Sequence, residues 1–296
     1  MILESSNRIG GKIINKGNSN LGPKFLHSSI NKFTNSIDKN NIYYPGKLKG
    51  KNKDIQNSIR LEDSGSISKN LHPKFEYTNE INYEYDFNKL INKYSNGLHI
   101  KLNYPFEKYR INEKGLIIIN DEVISKKIIF ALPVNVLKLF DTPYKKLLNN
   151  WYQSNIITLS FELLENNNIF KSGFFYDKHF KRTSFFYNKK HNILYVNIFD
   201  RNKNLSLEKI IYDIERNFML NKYFLTYKKW SEDCNFLGGW SIPKKTLTKD
   251  KIEIIEKGYQ DRIYYVGDYL GNIEEIGSVS NAMYNAEKLI NNLEIK

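Results

Sequence analysis

The chain opens with Met1-Ile-Leu-Glu4-Ser-Ser-Asn-Arg8-Ile-Gly10-Gly11-Lys12, a short apolar strand that ends in a carboxylate and runs into a glycine turn. Paired glycines let the backbone approach a bound group closely, and the flanking cations Arg8 and Lys12 offset phosphate charge. A carboxylate at the end of the second strand of a parallel sheet accepts hydrogen bonds from a dinucleotide ribose. The stretch therefore predicts a ligand site around Glu4, although its position alone fits a surface carboxylate better.

The other end of the chain carries a second candidate site. Arg262-Ile-Tyr-Tyr-Val266 predicts a strand, Gly267 and Asp268 follow it, and a helix begins at Gly277-Ser278-Val279. The free N–H groups and the dipole at the amino end of a helix stabilise negative charge, and a nearby carboxylate can bind hydroxyl groups. The alternative is a common strand, loop and helix in which the serine is only a cap.

Hydrophobic spacing predicts the elements between these two ends. The predicted helices lie at 86–94, after Ser206 as N-cap and from 277 onward, and the predicted strands lie at 99–102, 113–120, 127–132, 156–162, 174–176, 184–187, 193–199 and 262–266. A segment at 46–79, rich in Lys, Asn, Ser and Gly, predicts a variable and poorly ordered insertion.

The composition is that of a globular protein with a basic bias. A chain of 296 residues with 41% hydrophobic residues can bury a full core, and no apolar run approaches the roughly eighteen residues that a membrane span needs. No signal peptide is visible, so we expect a cytoplasmic location. Cys234 is the single cysteine, which excludes an intrachain disulfide, and the five histidines lack metal-ligand spacing. The net charge of +13 is spread along the chain, which argues against a nucleic-acid partner.

Six short motifs in a fixed order resemble one superfamily of flavoenzymes. The opening segment resembles the ribose-binding Glu and the Arg-x-Gly-Gly-Arg of flavin-containing amine oxidases, protoporphyrinogen oxidases and phytoene desaturases, with Lys12 in place of the last Arg. Similar matches follow at Asn20-Leu-Gly-Pro23, Leu102-Asn-Tyr-Pro-Phe106, 125–133, 230–240, and Tyr264-Tyr-Val-Gly-Asp268 together with Gly277-Ser-Val279.

The resemblance implies an FAD site and hydride transfer to the flavin from an amine or a similar small-molecule substrate. It implies cofactor contacts for residues from both ends and the middle of the chain: Glu4, Arg8, Gly10, Gly11, Lys12, Gly22, Phe106, Ala131, Gly267, Asp268, Gly277, Ser278 and Val279. It also implies that Trp240 forms an aromatic wall beside the flavin ring, and a core tryptophan on a turn is the alternative.

The sequence departs from the family pattern in three places. The Gly-x-Gly-x-x-Gly loop that should precede Glu4 is not present, so we expect a chain truncated at its amino end. A misplaced start, a gene fragment, a split protein completed by a partner chain and a remnant that no longer binds flavin all fit this departure. A lysine found in many amine-oxidising members is lacking near Asn155 or Ile156, and the second aromatic of a monoamine oxidase falls at Ser278. Desaturase-like and protoporphyrinogen-type chemistry therefore stay open beside amine oxidation.

The predicted fold class is α/β, with an incomplete FAD-binding Rossmann-like domain of amine-oxidase type and an α+β substrate domain built on a mixed sheet. We expect the FAD domain at 1–45, 80–140 and 255–296, and the substrate domain at 141–254. Two other functions remain open. One is a non-catalytic remnant that acts as an interaction scaffold or needs a partner chain to bind FAD, and the other is a basic nucleic-acid binder.

Overall fold

A computed structural model describes the chain as a mixture of helices and strands. The described residues are 1–16, 19–23, 25–26, 42–47, 81–85, 87–163, 173–175, 183–188, 191–199, 206–218, 220, 224–273 and 276–294. The chain divides into unit 1, which comprises Met1–Gly11, Phe87–Gln153 and Asp233–Lys296, and unit 2, which comprises Lys12–Asp86 and Ser154–Glu232. Each unit is therefore assembled from separate stretches of sequence.

The strands and helices are short, and most span two to seven residues. The strands are β1 (Ile2–Leu3), β2 (Asn15–Lys16), β3 (Ser19–Asn20), β4 (Phe25–Leu26), β5 (Ile42–Lys47), β6 (Ile81–Tyr85), β7 (Ile100–Lys101), β8 (Tyr109–Ile111), β9 (Ile117–Ile119), β10 (Val123–Ser125), β11 (Ile128–Phe130), β12 (Trp151–Gln153), β13 (Ile156–Glu162), β14 (Gly173–Phe175), β15 (Thr183–Asn188), β16 (Ile193–Phe199), β17 (Phe224–Lys229), β18 (Ser241–Pro243) and β19 (Ile263–Tyr265). The helices are α1 (Phe87–Ser95), α2 (Val134–Leu137), α3 (Lys145–Leu148), α4 (Leu207–Asn217), α5 (Lys249–Glu256) and α6 (Val279–Glu294).

Unit 1 contains two pairs of parallel strands. β1 pairs with β7, with Ile2 opposite Ile100, and β11 pairs with β19, with Ile128 opposite Ile263. α1 lies directly before β7 in the sequence, on the long connection from β1 that parallel strands require. The three residues of β11 and of β19 are Ile-Ile-Phe and Ile-Tyr-Tyr, and such bulky apolar runs are typical of parallel strands.

An antiparallel meander of β8, β9 and β10 completes the sheet structure that lies between β7 and β11 in the sequence. Its central strand contributes Ile117 and Ile119 to a buried cluster that also includes Phe130 of β11 and Ile263 and Tyr265 of β19. Each fully buried side chain of this size stabilises the fold by roughly 1.5–3 kcal/mol. The cluster therefore fixes the meander against the second parallel pair.

Unit 2 is built on a five-stranded sheet in the order β14-β15-β16-β13-β17. All of its described pairings are antiparallel, so the sheet is antiparallel and not mixed as the sequence predicted. The physical reason is the short connection of residues 189–192 between β15 and β16, because a hairpin joins antiparallel neighbours. Every residue of β15 is buried.

α4 packs on this sheet through one apolar face. Ser206 caps the helix, because its hydroxyl accepts a hydrogen bond from the N–H of Lys209 at 3.4 Å. Ile214 of α4 and Phe218 just after it are buried against Phe185 and its strand neighbours. The N-cap at Ser206 and the helix after it, both predicted from the sequence, are confirmed.

Several other predicted elements are confirmed within one to four residues at each end. Strands at 156–162 and 193–199 have the predicted bounds, and the helix predicted at 86–94 is observed as α1. The sequence missed the helices α2, α3 and α5 and the strands β2 to β6, β8, β10, β12, β17 and β18. The predicted insertion at 46–79 lies outside the described residues after its first two positions, which end β5. Among the described residues, no helix combines the length and the apolar character that a bilayer crossing demands.

Candidate functional site at the ends of the parallel strands

The turn after β1 is organised around the Glu4 carboxylate. The backbone N–H of Ser6 donates to Oε1 of Glu4 at 2.8 Å, and the Ser6 hydroxyl lies 2.7 Å from the same oxygen. That hydroxyl also lies 2.7 Å from the carbonyl oxygen of Arg8. Both contacts involve Oε1, so the predicted ribose ligand is held in a fixed orientation by its own turn.

Arg8 folds back onto the glycine turn. Its Nη1 donates to the Ile9 carbonyl at 3.2 Å, and its Nη2 donates to the Gly11 carbonyl at 2.6 Å. Gly10 and Gly11 have φ angles of 101° and 55°, which are strained for any residue with a side chain. The guanidinium therefore stabilises a left-handed turn. The Arg8 N–H groups that do so are those that the sequence predicted to bind a phosphate.

The segment after β7 runs alongside the Glu4 turn. The N–H of Tyr104 donates to the Glu4 carbonyl and the N–H of Asn103 donates to the Ser6 carbonyl, each at 2.9 Å. Phe106 lies further on and packs edge-on against Phe130, with ring centroids 5.1 Å apart. In the described structure Phe106 supports the core of unit 1.

Asp268, just after β19, is held by a residue that the sequence did not single out. The backbone N–H of Ser241 donates to Oδ2 of Asp268 at 3.0 Å, and the Ser241 hydroxyl donates to Oδ1 at 2.7 Å. The Asp268 carbonyl accepts a hydrogen bond from the N–H of Gly277 at 2.7 Å. Asp268 thus joins β18 to the loop that leads into α6.

The loop before α6 is tightly packed. A Cβ added to Gly277 would lie 2.6 Å from the Ser241 carbonyl oxygen and 3.1 Å from Cδ1 of Trp240, and the φ of Gly277 is 91°. Ser278 caps α6, because its hydroxyl accepts from the N–H of Asn281 at 3.0 Å. The capping role predicted as an alternative is therefore confirmed, and it leaves the helix amino end beside Trp240.

Asn281 and Gly267 hold the segment between β19 and α6 through further hydrogen bonds. The Asn281 side chain is fully buried, and its Nδ2 donates to the Leu270 carbonyl while its Oδ1 accepts from the Asn272 N–H at 2.8 Å. The Gly267 N–H donates to Oδ1 of Asn285 at 3.2 Å. A Cβ on Gly267 would lie 2.6 Å from the Tyr269 ring, so this position accepts only glycine without movement.

The loop of residues 233–241, here called the bridging loop, contacts the region that follows three parallel strands. The Ser5 hydroxyl, just after β1, donates to Oδ1 of Asn235 at 2.9 Å. The Asn135 side chain, in α2 after β11, donates to the Leu237 carbonyl at 3.1 Å. Together with the contact between Ser241 and Asp268, these bonds connect the carboxyl ends of β1, β11 and β19.

Leu237 shows that the bridging loop is held in a specific conformation. Its φ is 52°, a left-handed value that costs a residue with a side chain about 1–2 kcal/mol. The bond from Asn135 and the backbone bond from its own N–H to the Asp233 carbonyl at 2.8 Å offset this cost. Backbone strain of this kind concentrates at functional sites.

The remaining residues predicted to contact the cofactor lie partly in unit 1 and partly in unit 2. Ala131 is exposed after β11, and Val279 is half-buried as the first residue of α6. Lys12 and Gly22 belong to unit 2, where they lie together: a Cβ on Gly22 would collide with the Lys12 carbonyl oxygen. The Asn20 side chain closes this turn by accepting from the Gly22 N–H at 2.9 Å.

Tyr269, the residue after Asp268, is fully buried. Burial, followed by the charges of Tyr265 and Asp268, raises the pKa of Tyr269 well above its ordinary value, so the phenol stays protonated. Among the described residues, no group of three or more acidic, histidine or cysteine side chains could hold a metal ion. The described groups that chemistry at this site can use are hydrogen-bond donors, the dipole of α6, and the carboxylates of Glu4 after β1 and Asp268 after β19.

Neither models of known protein families nor the curated proteins give a match to this chain. The function is therefore inferred from the residues of the site and from the motifs that the sequence carries.

Proposed function

We propose that the protein is an FAD-dependent oxidoreductase of amine-oxidase type, in which a flavin accepts a hydride from an amine or a similarly electron-rich small molecule. The observation that supports this proposal is the bridging loop, which connects the carboxyl ends of β1, β11 and β19. In open α/β sheets, ligands bind outside the carboxyl ends of parallel strands. The identity of the cofactor, a flavin, is inferred from the six ordered motifs of the sequence.

The residues after β1 and β19 fit a dinucleotide in part. Glu4 uses Oε1 for its own turn, and a carboxylate accepts up to about four hydrogen bonds, so Oε2 suits the two hydroxyls of a ribose. Asp268 has one bond to each oxygen, which leaves acceptor capacity for a ribityl hydroxyl. Gly277 brings the α6 amino end into contact with Ser241 and Trp240, so a flat group stacked on Trp240 would lie close to this helix end.

The chemistry proposed for the protein's own residues is binding and tuning. The N–H groups and dipole at the amino end of α6 would stabilise negative charge on the pyrimidine side of a reduced flavin, by about 0.3–2 kcal/mol. Trp240 is 36% exposed and would form an apolar wall against which a neutral substrate stacks. The cofactor, when bound, supplies the two-electron acceptor.

The sheet edges suggest a further component. Among the described residues β1 pairs only with β7, and β19 pairs in parallel only with β11. We propose that another parallel strand, followed by a glycine-rich loop, adds to these edges and supplies N–H groups to the pyrophosphate. A partner chain or another segment of the same protein could provide it.

A second candidate function is a non-catalytic scaffold. It is favoured by the polar atoms that already bind within the protein, namely the Arg8 guanidinium on its own loop and the Asp268 carboxylate on Ser241. A protein that has lost its cofactor could keep these bonds for stability alone.

FAD titration of the purified chain tests the proposal, with flavin absorbance and fluorescence as readouts. We expect a shifted flavin spectrum, and we expect Glu4→Gln and Asp268→Asn each to weaken binding by roughly tenfold, the loss of about one charged hydrogen bond. Glu113→Gln is the matched control, since Glu113 is exposed in the turn between β8 and β9. Equal affinity for FAD in the wild type and in all three variants would contradict the proposed site. An unchanged flavin spectrum, both alone and with a glycine-loop segment added, would favour the scaffold.

A further inference from the structure

Lys138, the residue after α2, carries a half-buried amine whose two described hydrogen-bond partners are neutral oxygens. Its Nζ donates to the Trp151 carbonyl at 2.5 Å and to Oδ1 of Asn135 at 3.3 Å. Within the described part of the chain, no carboxylate oxygen lies within 4.0 Å of this nitrogen, whereas Lys108 and Lys288 both have one. Burying a charged amine without a counter-ion is costly.

The surroundings of Lys138 disfavour its charged form. Burial, and then repulsion by Lys244 after β18, lowers the pKa of Lys138 from 10.5 to about 8. At pH 7.4 about one amine in five would then be neutral, against about one in a thousand for an ordinary lysine. A neutral lysine amine is a nucleophile, and proteins use desolvated lysines beside a second cation for Schiff-base chemistry.

Two acceptors orient the amine. Asn135 uses its Nδ2 to bind the Leu237 carbonyl, so its Oδ1 is turned toward Lys138, and the Trp151 carbonyl is fixed in β12. A neutral amine has two N–H bonds, and these acceptors engage both. The lone pair occupies the remaining tetrahedral position, directed away from Asn135 and Trp151.

We propose that Lys138 captures the carbonyl group of a small anionic aldehyde or 2-oxo acid as an imine. Lys244 selects the anion: it follows Pro243, which pairs with Trp151, and the Trp151 carbonyl binds Nζ of Lys138, so a carboxylate on the ligand would be attracted to the positive charge of Lys244. The Nζ lone pair forms a bond to the carbonyl carbon, and the carbonyl oxygen leaves as water with both amine protons. No oxidant or reductant takes part, and the site does not depend on flavin binding.

Competition between lysines in the folded protein tests this proposal. The purified chain is treated at pH 7.5 with a low concentration of glyoxylate and cyanoborohydride, and modified peptides are measured by mass spectrometry over time. We expect Lys138 to react roughly tenfold faster than Lys145, an exposed lysine at the start of α3, because the gain in neutral amine exceeds the loss of nucleophilicity. The rate at Lys138 should level off above about pH 8.

Two variants and one second probe sharpen the outcome. Lys138→Arg keeps the positive charge and should lose the fast-reacting site alone, and Lys244→Gln should slow the reaction at Lys138. Acetaldehyde, which has no carboxylate, should show a smaller preference for Lys138 than glyoxylate. The proposal is overturned if Lys138 reacts no faster than Lys145. It is also overturned if Lys244→Gln leaves the rate with glyoxylate unchanged.

Discussion

Ser241 binds both carboxylate oxygens of Asp268, with its N–H 3.0 Å from Oδ2 and its hydroxyl 2.7 Å from Oδ1. Ser241 is 1% exposed and begins β18, whereas Asp268 follows β19. A short bond from a hydroxyl to a carboxylate is about twice as strong as a neutral hydrogen bond. The pair therefore fixes the end of the bridging loop to the segment that precedes α6.

Ser241→Ala should destabilise unit 1 by about 1.5–3 kcal/mol, the usual contribution of a hydrogen bond to a charged group. The backbone bond to Oδ2 remains, so we expect weaker binding of the loop and not its loss. Ser125→Ala is the matched control, because its hydroxyl makes an exposed bond of 2.6 Å to the Lys127 carbonyl. Urea denaturation of both variants measures the difference, and equal losses would contradict a special role for Ser241.

Gly277→Ala should be more damaging than Gly97→Ala, although both glycines have positive φ angles of 91° and 76°. The shared backbone strain costs about 1–2 kcal/mol in each variant. An added Cβ meets the Ser241 carbonyl at 2.6 Å in the first case and open space in the second. Displacing that carbonyl should add roughly 1–3 kcal/mol of overpacking cost in urea denaturation. Similar midpoints for the two variants would show that the loop adapts freely.

The sequence predicted best those elements whose hydrophobic period repeats. β13 and β16 have seven residues each, and α4 and α6 show three or more turns of an apolar face. α2 and α3 have four residues each, too few to show a period of 3.6. β18 contains a proline and only three residues, so its pairing with β12 depends on tertiary contacts that no local pattern shows.

The site was predictable where glycine and charge occur together. Gly267, Asp268 and Gly277 stand out as residue types with few structural alternatives after a strand. Ser241 and Asn281 do not stand out, because a serine in a short strand and an asparagine in a helix are common. Their partners lie 27 and 11 residues away in the sequence, so only the folded chain brings the side chains together.

Trp240 should report on the proposed flavin. It is 36% exposed, whereas Trp151 and Trp230 are 0% and 4% exposed. If FAD binds near Gly277, energy transfer and stacking should quench the emission of Trp240 most strongly. Trp240→Phe should therefore remove most of the quenching measured in a fluorescence titration, and Trp230→Phe should keep it. Equal quenching in both variants would place the flavin elsewhere.

Glu256 connects α5, α6 and the loop after β19 through a single carboxylate that is 8% exposed. Its Oε1 accepts from the Gly271 N–H at 2.9 Å and from Asn285 at 3.1 Å, and its Oε2 lies 2.6 Å from Nζ of Lys288. We expect Glu256→Ala to cost more stability than Lys288→Met in chemical denaturation. Glu256→Ala removes the acceptor of three hydrogen-bond donors, whereas Lys288→Met leaves two of these three hydrogen bonds in place. A larger loss in Lys288→Met would contradict this order.

Lys288 and Lys138 should respond to alkaline pH in opposite directions. Burial lowers the pKa of Lys288, but the hydrogen bond and charge of Glu256 outweigh burial and raise it. Its contribution to stability is present below the unfolded pKa and is lost as pH rises through the folded pKa.

For Lys138 the folded pKa of about 8 lies below the ordinary 10.5, so its buried charge costs stability below pH 8. That cost disappears as pH rises from 8 to 10.5, because the lysine of the unfolded chain then also loses its proton. Lys138→Met should therefore be relatively most stable near neutral pH and lose this advantage above pH 10. Urea denaturation of the wild type and of Lys138→Met at pH 7, 8, 9 and 10 measures the change. A difference in stability that stays constant across this range would show that Lys138 is charged and well solvated.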